Sequence, residues 1–163
     1  MGLFFKNKNN AAAAGGSFDC LTRSDIRVRL PPMEKFDAIR LAGRMLVERG
    51  SVSEEYIEAM VEREKTVTTY IGEGVAIPHG VGTAKQYIKS TGLVVLQFAG
   101  EGVPFEDGNA KLVVGIAGLG EEHLPILQAV AHIIMKGDLL KELQETDDPG
   151  FILRTLTSGE ADA

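Results

Sequence analysis

The sequence predicts an α/β protein: a three-layer α/β/α sandwich in which a single mixed sheet carries helices on both faces. Three observations point there. Two apolar runs, residues 93–98 and 112–117, are nearly continuous, the pattern of strands covered on both sides. Stretches of helical period stand before, between and after the strand-like segments, the alternation of a layered α/β domain. With 163 residues, 44% of them hydrophobic, and a mean hydropathy of +0.02, the chain has material for one sizeable core and not two.

Taken in order, residues 1–20 read as a flexible leader or linker. Leu3, Phe4 and Phe5 form an apolar patch too short for a secretory signal, and asparagines, four alanines and Gly15-Gly16-Ser17 follow. Lys6 stands where a myristoylation motif needs Ser or Thr. The folded domain is expected over 21–163. After Pro31-Pro32, Phe36, Ile39, Met45 and Leu46 fall at helical spacing with Ala42 and Gly43 in the same stripe, and Gly50 stands where a C-terminal cap belongs. A second helix is expected to open at 51–53, where Ser51 and Glu54 have capping-box spacing. It should bury Tyr56, Ile57, Met60 and Val61 and end near Arg63-Glu64-Lys65. Residues 67–71 are β-prone and break at Gly72 and Gly74, and Val75-Ala76-Ile77 is a short strand stopped by Pro78. Residues 122–136 predict a helix with Leu124, Leu127, Ala131 and Ile134 on its buried stripe and Pro125 tolerated in its first turn. Two shorter helices follow at 138–145 and around 151–156.

Charge and motifs exclude several functions. Seventeen Lys+Arg against 23 Asp+Glu give a net charge of −6 and a pI near 5.1. The leader holds +1 of this (Lys6, Lys8, Asp19), so 21–163 carries −7. Neither nucleic acid nor an anionic membrane is expected as a main partner, because either calls for a basic patch. No apolar run approaches the roughly 20 residues that span a bilayer, so direct membrane insertion is not expected. The single Cys20 excludes an internal disulfide framework and fits a reducing, cytoplasmic setting. Neither a GxxxxGK[ST] loop nor a GxGxxG between strand and helix is present, and there is no GxSxG elbow, so neither a nucleotide cofactor nor a serine nucleophile is expected.

The candidate chemistry rests on three histidines. His79 lies in Ile77-Pro78-His79-Gly80, where a short strand delivers an imidazole between a proline that fixes the backbone and a glycine that leaves it open. Strand ends are where α/β sheets place their sites. The functional reading is a nucleophile or general base; the plain one is a turn histidine bonded to a nearby carbonyl. His123 follows a glycine-flanked loop at a helix start, where unpaired N–H groups and the helix dipole favour an anion and disfavour protonation of the ring. Glu121 and Glu122 are compatible with that dipole as ordinary first-turn acids. His132, nine residues on and about half a turn round the same helix, is expected to be a packing histidine at the core or its edge. No HxxxH or HxH spacing occurs and the one cysteine is far along the chain, so no metal site is expected.

These residues carry a resemblance. Arg63-Glu64-Lys65, then Thr69-Tyr70-Ile71-Gly72-Glu73-Gly74 running into Ile77-Pro78-His79-Gly80, resembles the signature of the fructose/mannitol-type enzyme IIA domain of the bacterial phosphoenolpyruvate-dependent sugar phosphotransferase system. Residues 112–117 followed by Glu122-His123 are similar to its second signature, and Ala38-Ile39-Arg40, Ala42-Gly43, Tyr56 and Ala59-Met60 resemble the mannitol branch. The likeness covers residues 23–157. It implies a mixed sheet flanked by helices, with His79 as the phosphorylated residue, accepting phosphate from the phosphocarrier HPr and passing it to a cysteine of a cognate mannitol-type enzyme IIB domain. It implies that His123 supports the phosphoryl group without being phosphorylated, that Arg63 lies near the site, and that a membrane permease is the assembly served. No cofactor or metal is implied. Thr83 stands where mannitol-type members typically have a glutamate, four residues past the histidine; a hydroxyl there can bond phosphate or imidazole but supplies no charge. The alternative from the same resemblance is a nitrogen-related regulatory paralogue that signals by its phosphorylation state. A third, a non-catalytic interaction domain that kept the fold, is disfavoured because both histidines are present.

Overall fold

The computed structural model describes residues 18–158. Its main sheet has five strands: β1 (Ile26–Leu30), β2 (Tyr70–Gly72), β3 (Val75–Ala76), β4 (Gly92–Phe98) and β7 (Leu112–Ala117), in the order β1-β4-β7-β3-β2. β4 and β7 run antiparallel, β1 is parallel to β4 and β3 parallel to β7, so the sheet is mixed. A separate two-stranded ribbon, β5 (Val103–Phe105) with β6 (Gly108–Ala110), joins β4 to β7. The expected single sheet is therefore one main sheet plus this ribbon.

Both central strands are buried along their whole length, and their alternation sorts side chains between two cores. Val94, Leu96, Phe98, Val113 and Ala117 face α1 (Lys35–Glu48) and α2 (Glu55–Thr66). Leu93, Val95, Leu112, Val114 and Ile116 face α3 (His123–Ile134), α4 (Gly137–Glu145) and α5 (Pro149–Ser158). This double covering is the reason the two runs carry no polar alternation, and it makes the three layers.

Four expectations need correction. The leader assigned to 1–20 ends sooner: Phe18 is 3% exposed within the α3–α5 core, and Arg49 donates to the Cys20 carbonyl while pairing with Asp25 at 2.6 Å. Residues 1–17 of that leader lie outside the described residues. The capping box at Ser51 does not form. Gly50, at φ +87°, donates to the Val47 carbonyl and Ser51 to the Leu46 carbonyl, a Schellman closure of α1 that takes up the Ser51 backbone. α2 then starts at Glu55 with no side-chain cap. The buried stripe of α3 is Ile126 and Val130, with Leu124 and Ala131 exposed. His132 is accordingly exposed and does no core packing. An apolar helix with hydrophobes on several faces leaves its rotation undetermined by periodicity, and the sheet decides it. Finally, no strand was expected at Ile26–Leu30; its five residues form an edge strand, with Arg29 at φ +55° in a bulge whose N–H donates to the buried Gln97 amide oxygen.

Among the described residues, no helix is long and apolar enough to cross a membrane.

Candidate phosphoryl-transfer site

β3 runs on into Ile77-Pro78, and the chain continues beside β7 so that the Ile116 N–H donates to the Pro78 carbonyl at 3.0 Å and His79 bridges Ile116 in parallel register. His79 is thus carried on an extension of the central sheet, 7% exposed. Its ring Nδ1 lies 2.6 Å from the Ile77 carbonyl oxygen. A carbonyl only accepts, so Nδ1 holds the proton and Nε2 keeps its lone pair.

The turn is tied from behind by Tyr56 of α2. Its hydroxyl, fully buried, donates to the Ile116 carbonyl and accepts from the Gly80 N–H, both at 2.8 Å. Burial pushes the phenol up to about 12, so it stays a donor at neutral pH. Gly80 must be glycine here: a Cβ would lie 2.9 Å from both the Tyr56 ring and the Ala84 Cβ.

His123 opens α3. The loop before it passes so close that a Cβ on Gly118 would sit 2.4 Å from the His123 backbone nitrogen. Two side chains from the segment after His79 hold this loop. Thr91 Oγ1 accepts from the Leu119 N–H and bonds the Glu122 carboxylate. Lys85 Nζ lies 2.9 Å from His123 Nδ1 and also donates to the carbonyls of Gly118 and Gly120. The two imidazoles face each other with ring centres 6.3 Å apart, tilted by 30°.

Arg63, in the last turn of α2, donates to the Val67 carbonyl at 2.6 Å. Its neighbour Glu64 is buried and accepts from Thr68 Oγ1, Thr69 Oγ1 and the Thr69 N–H, which fixes the turn from α2 into β2. The electrostatics follow from this assembly. Burial is the main force pushing the His79 pKa below its ordinary value; the Ile77 hydrogen bond opposes it, and Arg63, His123 and Lys85 add to the lowering. His123 is pushed down by burial and then by Lys85, against the opposing Glu121.

The structure brings the His79 and His123 rings to 6.3 Å of each other, and Arg63 acts on His79 through its charge. Thr83 is exposed on the 3-10 turn Gly82–Tyr87 and borders an open groove that Arg63 also lines, with Glu55, Glu58 and Glu62 of α2. Nothing in the sequence marks Lys85 or Thr91, since each acts across more than 25 residues of chain, and Tyr56 reads there as core and as part of the family likeness, not as a brace for the turn. Among the described residues, no three His, Cys, Asp or Glu side chains converge as a metal site would require.

Comparison with known proteins shows the family. The profile of the family described as "Phosphoenolpyruvate-dependent sugar phosphotransferase system, EIIA 2" matches residues 19–159. The mannitol-specific EIICBA component of Pasteurella multocida is 45% identical over 140 residues, 83% of this chain and 22% of that protein. The mannitol-specific phosphotransferase enzyme IIA component of Geobacillus stearothermophilus is 45% identical over 116 residues, 71% of this chain and 79% of its own length. The chain spans under a quarter of the first multidomain relatives it matches. Among solved structures, IIA mannitol from Escherichia coli superimposes with a TM-score of 0.77 at 37% identity, covering 83% of this chain and 98% of that one. The same organism's IIA mannitol domain, in complex with phosphorylated enzyme IIB, gives 0.80 at 35% identity, covering 85% and 97%. With a profile match over nearly all described residues and relatives well above 30% identity, the chain belongs to the EIIA 2 family of the phosphoenolpyruvate-dependent sugar phosphotransferase system.

Proposed function

We propose that this domain is a cytoplasmic phosphocarrier for uptake of mannitol or a related hexitol. It accepts a phosphoryl group on His79 from HPr and passes it to a cysteine of a mannitol-type enzyme IIB domain associated with a membrane permease. The observation that carries this is the His79 ring itself: Nδ1 is held by the Ile77 carbonyl, so Nε2 is the nucleophile.

In the accepting step, the Nε2 lone pair forms a bond to phosphorus as the donor's nitrogen–phosphorus bond breaks. Nδ1 keeps its proton throughout, so no proton need move at His79. In the onward step the cysteine thiolate attacks phosphorus and His79 Nε2 leaves with its electron pair. The neighbouring charges serve both steps. Arg63 and Lys85 disfavour a proton on His79, keeping the lone pair free, and favour the phosphoryl dianion that replaces it. His123, 6.3 Å away between ring centres, would donate to a phosphoryl oxygen. The groove lined by Glu55, Glu58 and Glu62, which Arg63 also borders, suits a partner with a basic docking face. Thr83 borders that groove and would offer a docked partner a hydroxyl but no charge.

The regulatory alternative is less well supported. Mannitol components reach 45% identity, whereas the nitrogen regulatory IIA-Ntr of Neisseria meningitidis, at 23%, shares the fold alone.

Incubation with labelled phosphoenolpyruvate, enzyme I and HPr should place acid-labile phosphate on the wild type and none on His79→Ala. Label persisting in that variant would overturn the assignment. His123→Ala should still accept phosphate and pass it on slowly to a mannitol B domain, and a wild type that transfers nothing to that domain would favour the regulatory reading.

A further inference from the structure

We propose that Lys85 is a positioning residue that locks His123 in the tautomer carrying its proton on Nε2. The inference rests on the phosphocarrier reading for its consequence and on geometry for its content. An ammonium has three donors and no acceptor. Lys85 Nζ directs them at three atoms of one loop: the Gly118 carbonyl, the Gly120 carbonyl, and His123 Nδ1 at 2.9 Å. The first two can only accept. At 2.9 Å the third contact is also a hydrogen bond only if Nδ1 presents a lone pair. A neutral ring with Nδ1 unprotonated carries its one proton on Nε2.

Such a lock matters because the other tautomer would be useless for the role proposed here. With Nδ1 protonated, Nε2 would turn a lone pair toward a phosphoryl dianion on His79, and repulsion would replace a hydrogen bond. Lys85 excludes that state, and it excludes the doubly protonated ring, which would set N–H against N–H. The charged groups facing His123 are Lys85 from the 3-10 turn and Glu121 from its own loop, with the His79 ring across the site. Among the described residues only Lys85 bonds a ring nitrogen of His123, and its donors also fix the loop that carries the ring.

The test uses ¹⁵N imidazole NMR of the unphosphorylated full chain, together with transfer kinetics. In the wild type, His123 should show the Nε2–H tautomer; the Nδ1–H tautomer would overturn the proposal outright, with no variant needed. Lys85→Met should give a tautomer mixture and a higher His123 midpoint, with onward transfer to a mannitol B domain slowed roughly ten- to a hundredfold, as for other partners that orient a functional histidine. Phosphate acceptance on His79, to which Lys85 contributes only charge, should slow less than onward transfer does. Lys85→Arg, which can still donate to Nδ1, should restore the tautomer and much of the rate. An unchanged tautomer, or a changed tautomer with an unchanged transfer rate, in Lys85→Met would overturn the role. If the wild type accepts no phosphate from HPr, the phosphocarrier reading falls and the catalytic role with it, while the tautomer measurement still decides the lock.

Discussion

The two histidine-bearing loops are held in opposite ways. His79 sits on an extension of the central sheet, bonded by backbone to β7 and braced by a fully buried tyrosine. His123 sits on a loop whose flanks, Leu119, Glu121, Glu122 and Leu124, are exposed, and which is tied down by side chains of Lys85 and Thr91. On the proposed function, His79 is a nucleophile that attacks in line and gains from a site that the core over-determines. On the same reading, His123 is a supporting donor for an incoming and an outgoing partner, better hung from side chains, which adjust at little cost. The difference is therefore one of coupling: changes around His79 should appear in folding stability, and changes around His123 should appear mainly in transfer.

The sharpest way to break this contrast is at Tyr56. Tyr56→Ala should remove about 3–5 kcal/mol of stability, the range for emptying a buried aromatic position. Chemical denaturation measures it, and a loss below 1 kcal/mol would mean that the turn is not braced as described. Gly80→Ala forces a Cβ to within 2.9 Å of that same ring. It should cost about 1–3 kcal/mol and slow acceptance of phosphate from HPr; full stability combined with normal labelling would contradict the close packing.

A pH titration tests the electrostatic half of the comparison. The folded-state pKa of His79 lies below its ordinary 6.5, so the ring stays neutral as pH falls through that value. Acceptance should hold constant down to pH 6.5 and decline only below it, with the NMR midpoint of His79 on the same side. Because the unfolded chain takes up this proton first, folding stability from this group falls as pH drops from 6.5 toward the folded midpoint. A midpoint at or above 6.5 would show that burial and the Arg63 charge do not act on the ring as stated. The smallest effect on folding is expected at the exposed loop. Thr91→Val should change stability by no more than about 0.5 kcal/mol, yet slow onward transfer by loosening the start of α3. Equal losses in both measurements would erase the distinction between the two loops.

Much of this organisation is legible in the residues. The unbroken apolar runs at 93–98 and 112–117 announce strands buried on both faces, and the glycine-flanked approach to His79 announces a strand-end imidazole. Illegible were features that depend on what lies opposite. Ser51 has the spacing of a capping residue, but its backbone closes the preceding helix instead. The rotation of α3 could not be read from a helix with apolar residues on several faces, and His132 was misplaced for that reason. Phe18 looks like part of a low-complexity leader until the α3–α5 core is there to receive it.

By itself, the sequence determined the layer order, the identity of the histidine at the end of β3 and the family to which the chain belongs. Those depend on local pattern, and local pattern survives without knowledge of neighbours. Only the tertiary structure decided which ring nitrogen of His79 and of His123 is free. That choice rests on a carbonyl two residues away for His79 and on an ammonium 38 residues away for His123. Tautomers are set by the partner at the other ring nitrogen, and the partner of His123 is brought there by the fold alone.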